Sequence, residues 1–364
     1  MSDYLKKQRL TLSECILLYI VFTYAPTTRL ITQLTIETAH EAAWLIPLIS
    51  CIIYVPLIAV VVTLMKKFEG RSYADIMSNV FGNPLAKVIT IVLTVYLILL
   101  MALYIRYSTD QLTSTIYTGT DYRIFLFFGI LSIFIILRSG IAVVGRMNKI
   151  VFVLLLVQFL LLLVLLLNDI KIENVTPIYV RDFSQFFTGS FYVTAIMGYV
   201  SFLLIFNDKI ILHDKINREF IRAGIFLITA STLIIFWTLA IFGWNVTEKL
   251  NYPFFQAIKG VIVLNKVTGM EALFMSFWLL AEFINISFFC YCILHLLRGI
   301  LKIKDELPLF SVFLIFMFFF SQIFSSNIVE LQTFSRQIAV PVNNILAVGL
   351  PFAVYLTAKA RKII

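Results

Sequence analysis

From Leu12 onward the chain alternates long apolar runs with short polar ones, and the runs keep recurring at a length near 20 residues. A helix rising about 1.5 Å per residue needs that length to cross a hydrocarbon layer of about 30 Å. The runs predict ten spans, at 12–34, 43–65, 85–117, 122–137, 142–167, 186–206, 220–243, 272–297, 308–328 and 339–358. Strands of a membrane barrel would instead alternate apolar and polar residues over short segments. The pattern therefore predicts an all-α integral membrane protein, a single membrane domain over 1–364. The longest stretches between spans, 66–84, 168–185 and 244–271, are too short for a separate globular domain. Within the last of these, YPFFQAIKGVIVL (252–264) is apolar on one side and predicts a short helix lying on the surface.

Two of the spans are interrupted. The first carries TYAPTTRL (23–30), in which Pro26 removes a backbone donor and disfavours helix at Ala25. The sixth, FFTGSFYVTAIMGYVSFLLIF (186–206), has Gly198 as its interior glycine beyond the first turn. Thr23 and Gly198 each lie 13 residues into their spans, counted from Leu10 and Gln185, and the two spans enter from opposite faces. Paired interruptions of this kind predict a 5+5 inverted repeat with the fold of the leucine-transporter type. Its halves would be 12–167 and 186–358, with helices one and six broken and a binding site at the midplane between them. Arg29, one turn beyond the proline, is expected to snorkel to the outer interface.

Composition agrees with the pattern, since 61% of residues are hydrophobic and 13% charged, with a mean hydropathy of +0.97. The net charge of +9 would be compatible with a nucleic-acid partner. Its distribution gives a simpler account: with the N-terminus in the cytoplasm, 20 of the 29 Lys and Arg residues fall on the inner side. That is the positive-inside bias of a membrane protein, it places both termini in the cytoplasm, and no nucleic-acid partner is implied. Cys15, Cys51, Cys290 and Cys292 all lie in apolar runs and read as small hydrophobes. The first run is too long for a cleaved leader and is kept as a span.

Polar residues at depth are the candidates for chemistry. Glu282, near the centre of SFWLLAEFINISFFCYC (276–292), has Asn285 one turn on and no basic residue near it in sequence. A carboxyl there is a candidate coupling or buried polar group, because an intramembrane charge is costly unless it is paired, protonated or wetted. Arg106 and Asp110, spaced i, i+4, are expected to pair near the interface, and Tyr104 and Tyr107, which share a face, to join an interfacial aromatic belt or else line an outer vestibule. Gln158, Gln322, Asn343 and Asn344 are expected to hydrogen-bond between helices. No metal-binding, paired-carboxylate or phosphate-loop motif is present, so neither an enzyme nor a cofactor is expected.

Several local motifs carry a family resemblance: AHEAAWLIPLI (39–49), SGIAVVGRMNKI (139–150), NVTP (174–177), YPFFQAIKGV (252–261), GMEALFMSFWLLAEF (269–283) and GLPFAVYLTAKARKI (349–363). In this order and spacing the chain resembles the B subunit of bacterial spore germinant receptors, a branch of the amino acid–polyamine–organocation permeases. The resemblance implies a permease-like subunit in the spore inner membrane that binds a small nutrient, often an amino acid. It also implies an A-type membrane subunit and a C-type lipoprotein subunit as partners. By position, the binding residues would be Thr23, Ala25, Pro26 and Thr27 from span one and Thr194, Gly198, Tyr199 and Ser201 from span six. The chain departs from the family pattern in having no glycine before Gly70, and Tyr199 where relatives often carry a glutamate. The competing function is a proton- or sodium-coupled amino acid transporter with Glu282 as the coupling group. A third is a purely structural subunit that holds partners.

Overall fold

Span one starts at a capping box: the Thr11 side chain accepts from the Glu14 N–H, and the Glu14 carboxylate accepts from the Thr11 N–H at 2.9 Å. In the computed structural model, which describes residues 9–176, 178, 183–260, 270–301 and 307–364, it runs as α-helix over Leu12–Pro26. It then widens to a π-helix over Thr27–Ile31 and returns to α-helix over Thr32–Ala39. A short 3-10 segment, His40–Leu45, with His40 at φ 48°, leads into span two, Ile46–Lys67.

The 56-residue apolar stretch Leu12–Lys67 makes two passes, because its two ends meet the same turn. The Leu10 N–H donates to the Lys209 carbonyl at 2.9 Å, while the Asn207 amide donates to the Met65 and Phe68 carbonyls at 3.3 and 2.6 Å. Two-residue strands, Leu10–Thr11 and Ile210–Ile211, pair in parallel at this end. Asn207 is fully buried, and Asn207→Leu removes the donor to the Met65 and Phe68 carbonyls, of which Phe68 still accepts from the Arg71 N–H. The expected cost is about 1–3 kcal/mol, read as a lower unfolding midpoint in detergent; an unchanged midpoint would show that the turn does not hold span two.

The remaining spans are Asn83–Thr115, Tyr122–Arg138, Ile141–Leu165, Phe183–Met197 continued as 3-10 helix over Gly198–Phe206, Ile216–Phe242, Met270–Leu301 and Leu307–Phe324. A long tenth helix then runs from Ile328 to Ala360, with π-helical segments at Ser335–Ala339 and Asn344–Gly349. Each of the ten expected spans therefore corresponds to a helix. The tenth begins at Ile328 and not at 339: Asn327 accepts from the Glu330 N–H at 3.0 Å and starts it inside a polar stretch that hydropathy passes over. The expected surface helix is present as Pro253–Lys259; the rest of that stretch, 261–264, lies outside the described residues.

Large apolar side chains face outward, among them Ile52, Phe128, Phe319 and Ile323 at 67%, 59%, 61% and 84% exposure. In water such a surface would aggregate, and in a bilayer it meets lipid. Span one sits inside the bundle, packed on spans five, six, seven and eight, so its π segment lies at the centre of the molecule.

Candidate functional site

Pro26 contributes no N–H, and two hydroxyls turn back onto the backbone just before and beyond it. Thr27 Oγ1 donates to the Thr23 carbonyl at 2.7 Å and Thr28 Oγ1 to the Ala25 carbonyl at 2.9 Å. The interruption is thus a change of helical winding with its threonines used internally. Thr23 Oγ1 is buried and has no hydrogen-bond partner.

The wide turn that follows carries Arg29, which is 3% exposed and forms an ion pair with Glu282 of span eight, itself 0% exposed. The expectation that Arg29 reaches an interface is corrected here. The helix continues ten residues past it to Ala39, about 15 Å of rise, so a side chain at Arg29 cannot reach the membrane surface. The Trp278 and Tyr107 rings stand over the guanidinium, with centroids 5.0 and 5.2 Å from Cζ. Arg29 Nε and Nη1, Gln111 Oε1 and Gln158 Oε1 have no hydrogen-bond partner, although all three side chains are buried. They line one narrow cavity of about 20 Å³, room for a single water molecule. Tyr24 and Thr28 share its wall, and Tyr252, Phe254 and Phe255 close it from the surface helix. That helix is tied down at both ends: Tyr252 Oη donates to Asp110 Oδ2 at 2.6 Å, and Lys259 Nζ donates to the Thr115 carbonyl at 2.9 Å.

Span six changes winding at Gly198 for a different reason. A Cβ there would lie 2.9 Å from Val348 Cγ2 and 3.3 Å from Ala347 Cβ, so the missing side chain is what lets span ten pack against it. Thr194 Oγ1 donates to the Ser190 carbonyl at 2.8 Å and to Asn344 Oδ1 at 3.1 Å, and Ser201 Oγ donates to the Gly198 carbonyl at 2.9 Å. Tyr199 shares a hydroxyl–hydroxyl hydrogen bond with Tyr104 and accepts from the Asn343 amide at 3.2 Å. Spans one and six meet through Tyr19, whose hydroxyl donates to the Met197 carbonyl at 3.0 Å, and through Phe22, 6.0 Å from the Tyr199 ring.

The residues selected from sequence therefore divide into two groups. Thr23, Ala25, Pro26 and Thr27 form the approach to Arg29, whereas Thr194, Gly198, Tyr199 and Ser201 are engaged with spans three and ten or with their own backbone. Glu282 belongs to the first group through Arg29, and Asn285 is fully buried with neither amide atom bonded.

Three further expectations are corrected. Among the described residues Arg106 makes no ion pair with Asp110; its guanidinium lies 4.0 Å from the Tyr122 ring, and Asp110 holds Tyr252 instead. Tyr104 and Tyr107 are 1% exposed and bonded to Tyr199 and Ser335, so they form part of the core and not an interfacial belt. The Gln322 amide donates to Phe318 in its own helix, while Gln158, Asn343 and Asn344 do bridge helices.

The end of the bundle that carries the N-terminus is held by Glu14–Lys149 at 3.0 Å and His295–Asp208 at 3.3 Å. Burial alone would raise the Asp208 pKa, but the His295 hydrogen bond and charge outweigh it and hold the carboxyl below its usual value.

Known proteins place this architecture. The family described as "Spore germination protein" matches residues 9–329. YfkT of Bacillus subtilis (strain 168), named as a spore germination protein, is 22% identical over 333 residues, covering 90% of each chain. Among solved structures the fold matches Mhp1, a nucleobase-cation-symport-1 family transporter in a closed conformation with bromovinylhydantoin bound. The TM-score is 0.51 at 14% identity, over 97% of this chain and 94% of that one. At that identity the likeness concerns the fold, which is that of a helical membrane permease.

Proposed function

Because the chain belongs to the spore germination protein family, we propose that it is the nutrient-sensing membrane subunit of a spore germinant receptor. On this reading a small nutrient, an amino acid in the first instance, binds beside the π-wound turn of span one. The observation that carries it is the set of unpartnered buried polar groups on Arg29, Gln111 and Gln158 converging on one cavity. Buried polar atoms are ordinarily bonded, so three such side chains around one space are a preformed demand for a polar ligand. Mhp1, which shares the fold, is a transporter that binds bromovinylhydantoin.

The basic face is cytoplasmic on this reading, the membrane is the spore inner membrane, and the halves 12–167 and 186–358 are the two repeats. An A-type membrane subunit and a C-type lipoprotein would transmit the signal. The alternative is a transporter coupled through Glu282, the carboxylate that pairs with Arg29. Deleting the gene and screening which nutrients no longer trigger germination tests the proposal; a spore that responds unchanged to every nutrient overturns it. Thr27→Leu removes the hydroxyl that closes the turn before Arg29 and adds bulk beside it. It is expected to shift the germination dose–response to higher nutrient concentration while the chain still inserts, and an unshifted curve would count against this turn as the site.

A further inference from the structure

Arg29 and Glu282 come from spans one and eight and pair in the bundle interior, where Asp110 is a further acidic group whose charge reaches Arg29. Their environment is aromatic, with Trp278 and Tyr107 over the guanidinium. The guanidinium still has Nε and Nη1 free, and Glu282 Oε2 accepts nothing. Each partner of the pair therefore keeps unused bonding capacity, and Arg29 lines a cavity too small for more than a water molecule.

Such a pair can be opened at tolerable cost only if both charges are compensated at once. A lone anion taken up by Arg29 would strand Glu282, and a lone cation on Glu282 would strand Arg29. A ligand that brings one carboxylate and one ammonium on the same carbon replaces the pair without changing the net buried charge. We propose that Arg29–Glu282 is the recognition element of the site and selects zwitterions by this electroneutral exchange. The ligand carboxylate takes the Arg29 fork, its ammonium takes Glu282, and its side chain lies against Trp278. Arg29 thus supplies a bidentate anchor for the carboxylate. Gln111 Oε1 and Gln158 Oε1 stand as further acceptors for ammonium hydrogens. The assignment deepens the nutrient-sensing reading and rests on it for the identity of the ligand as an amino acid.

The anion half is testable without knowing the nutrient. Glu282→Ala removes a carboxylate and leaves a space of the same shape beside an uncompensated guanidinium. Sodium formate fits that space, and formamide is its uncharged counterpart. Unfolding midpoints of the purified full chain in detergent are compared with formate, formamide and chloride at matched ionic strength. Formate is expected to raise the midpoint of Glu282→Ala by about 3 °C or more. It is expected to leave the wild type and Arg29→Ala/Glu282→Ala unmoved, with formamide inert throughout. If Glu282→Ala does not accumulate folded, formate present during expression and extraction is expected to recover it. An equal formate effect on the wild type, an equal effect of formamide, or no effect on midpoint or recovery overturns the exchange. The nutrient reading is tested separately by the wild type's response to amino acids, so either can fail alone.

Discussion

Glu282→Ala is expected to destabilise the folded chain by about 3–5 kcal/mol, the usual cost of stranding one member of a buried ion pair. Arg29 would be left with its charge uncompensated among Trp278, Tyr107 and the spans around them. Arg29→Met is expected to cost a similar amount by stranding the carboxylate. The combined variant Arg29→Met/Glu282→Leu is expected to recover most of the loss, because apolar side chains of similar volume need no compensation at that depth. Unfolding of the wild type, Arg29→Met, Glu282→Leu and the double variant in one detergent closes the cycle. Additive losses in the double variant would mean that the two groups do not act as a pair. Germination should separate from stability: the double variant folds and inserts, yet has lost both groups proposed to hold the nutrient.

The second large effect concerns Gly198. A valine there has no space, since even its Cβ would lie 2.9 Å from Val348 Cγ2 and 3.3 Å from Ala347 Cβ. Overpacking of this kind costs about 1–3 kcal/mol, and it would push span ten away from span six. Separation would also strain the Thr194–Asn344 and Asn343–Tyr199 hydrogen bonds, which cross the same interface. Val348→Ala is expected to restore a Gly198→Ala chain to near wild-type stability, because it removes the methyl in conflict. If Gly198→Val unfolds at the wild-type midpoint, the glycine is not a packing requirement.

The number of helices was legible in the sequence because lipid solvation demands long apolar runs, and the residues that change helical winding were legible because proline and glycine alter backbone bonding. Thr27–Ile31 and Gly198–Phe206 begin where Pro26 and Gly198 predict a disturbance. Both remain helical, in wider and tighter forms, and that is not readable from residue type. Nor is the purpose of Gly198, since Val348 lies 150 residues away. Glu282 stood out from sequence as a costly charge, but its partner is 253 residues earlier. Hydropathy places Arg29 at the outer interface because it ends span one near residue 34, whereas the polar residues Thr35, Glu37 and Thr38 continue the helix to Ala39. A simple rule would have found the pair: an intramembrane carboxylate needs a cation, and Arg29 is the basic residue nearest the middle of a broken span. Trp278 and Tyr252 carried no such signal, being two among many aromatic residues.

The central claim is that a nutrient binds at the Arg29–Glu282 pair. Equilibrium binding of a panel of radiolabelled neutral amino acids to the purified wild type and to Arg29→Met/Glu282→Leu tests it most directly. The account predicts saturable binding of at least one amino acid to the wild type and none to the double variant, which unfolds at a comparable temperature. Binding that survives in the double variant, or no binding by the wild type across the panel, would contradict it.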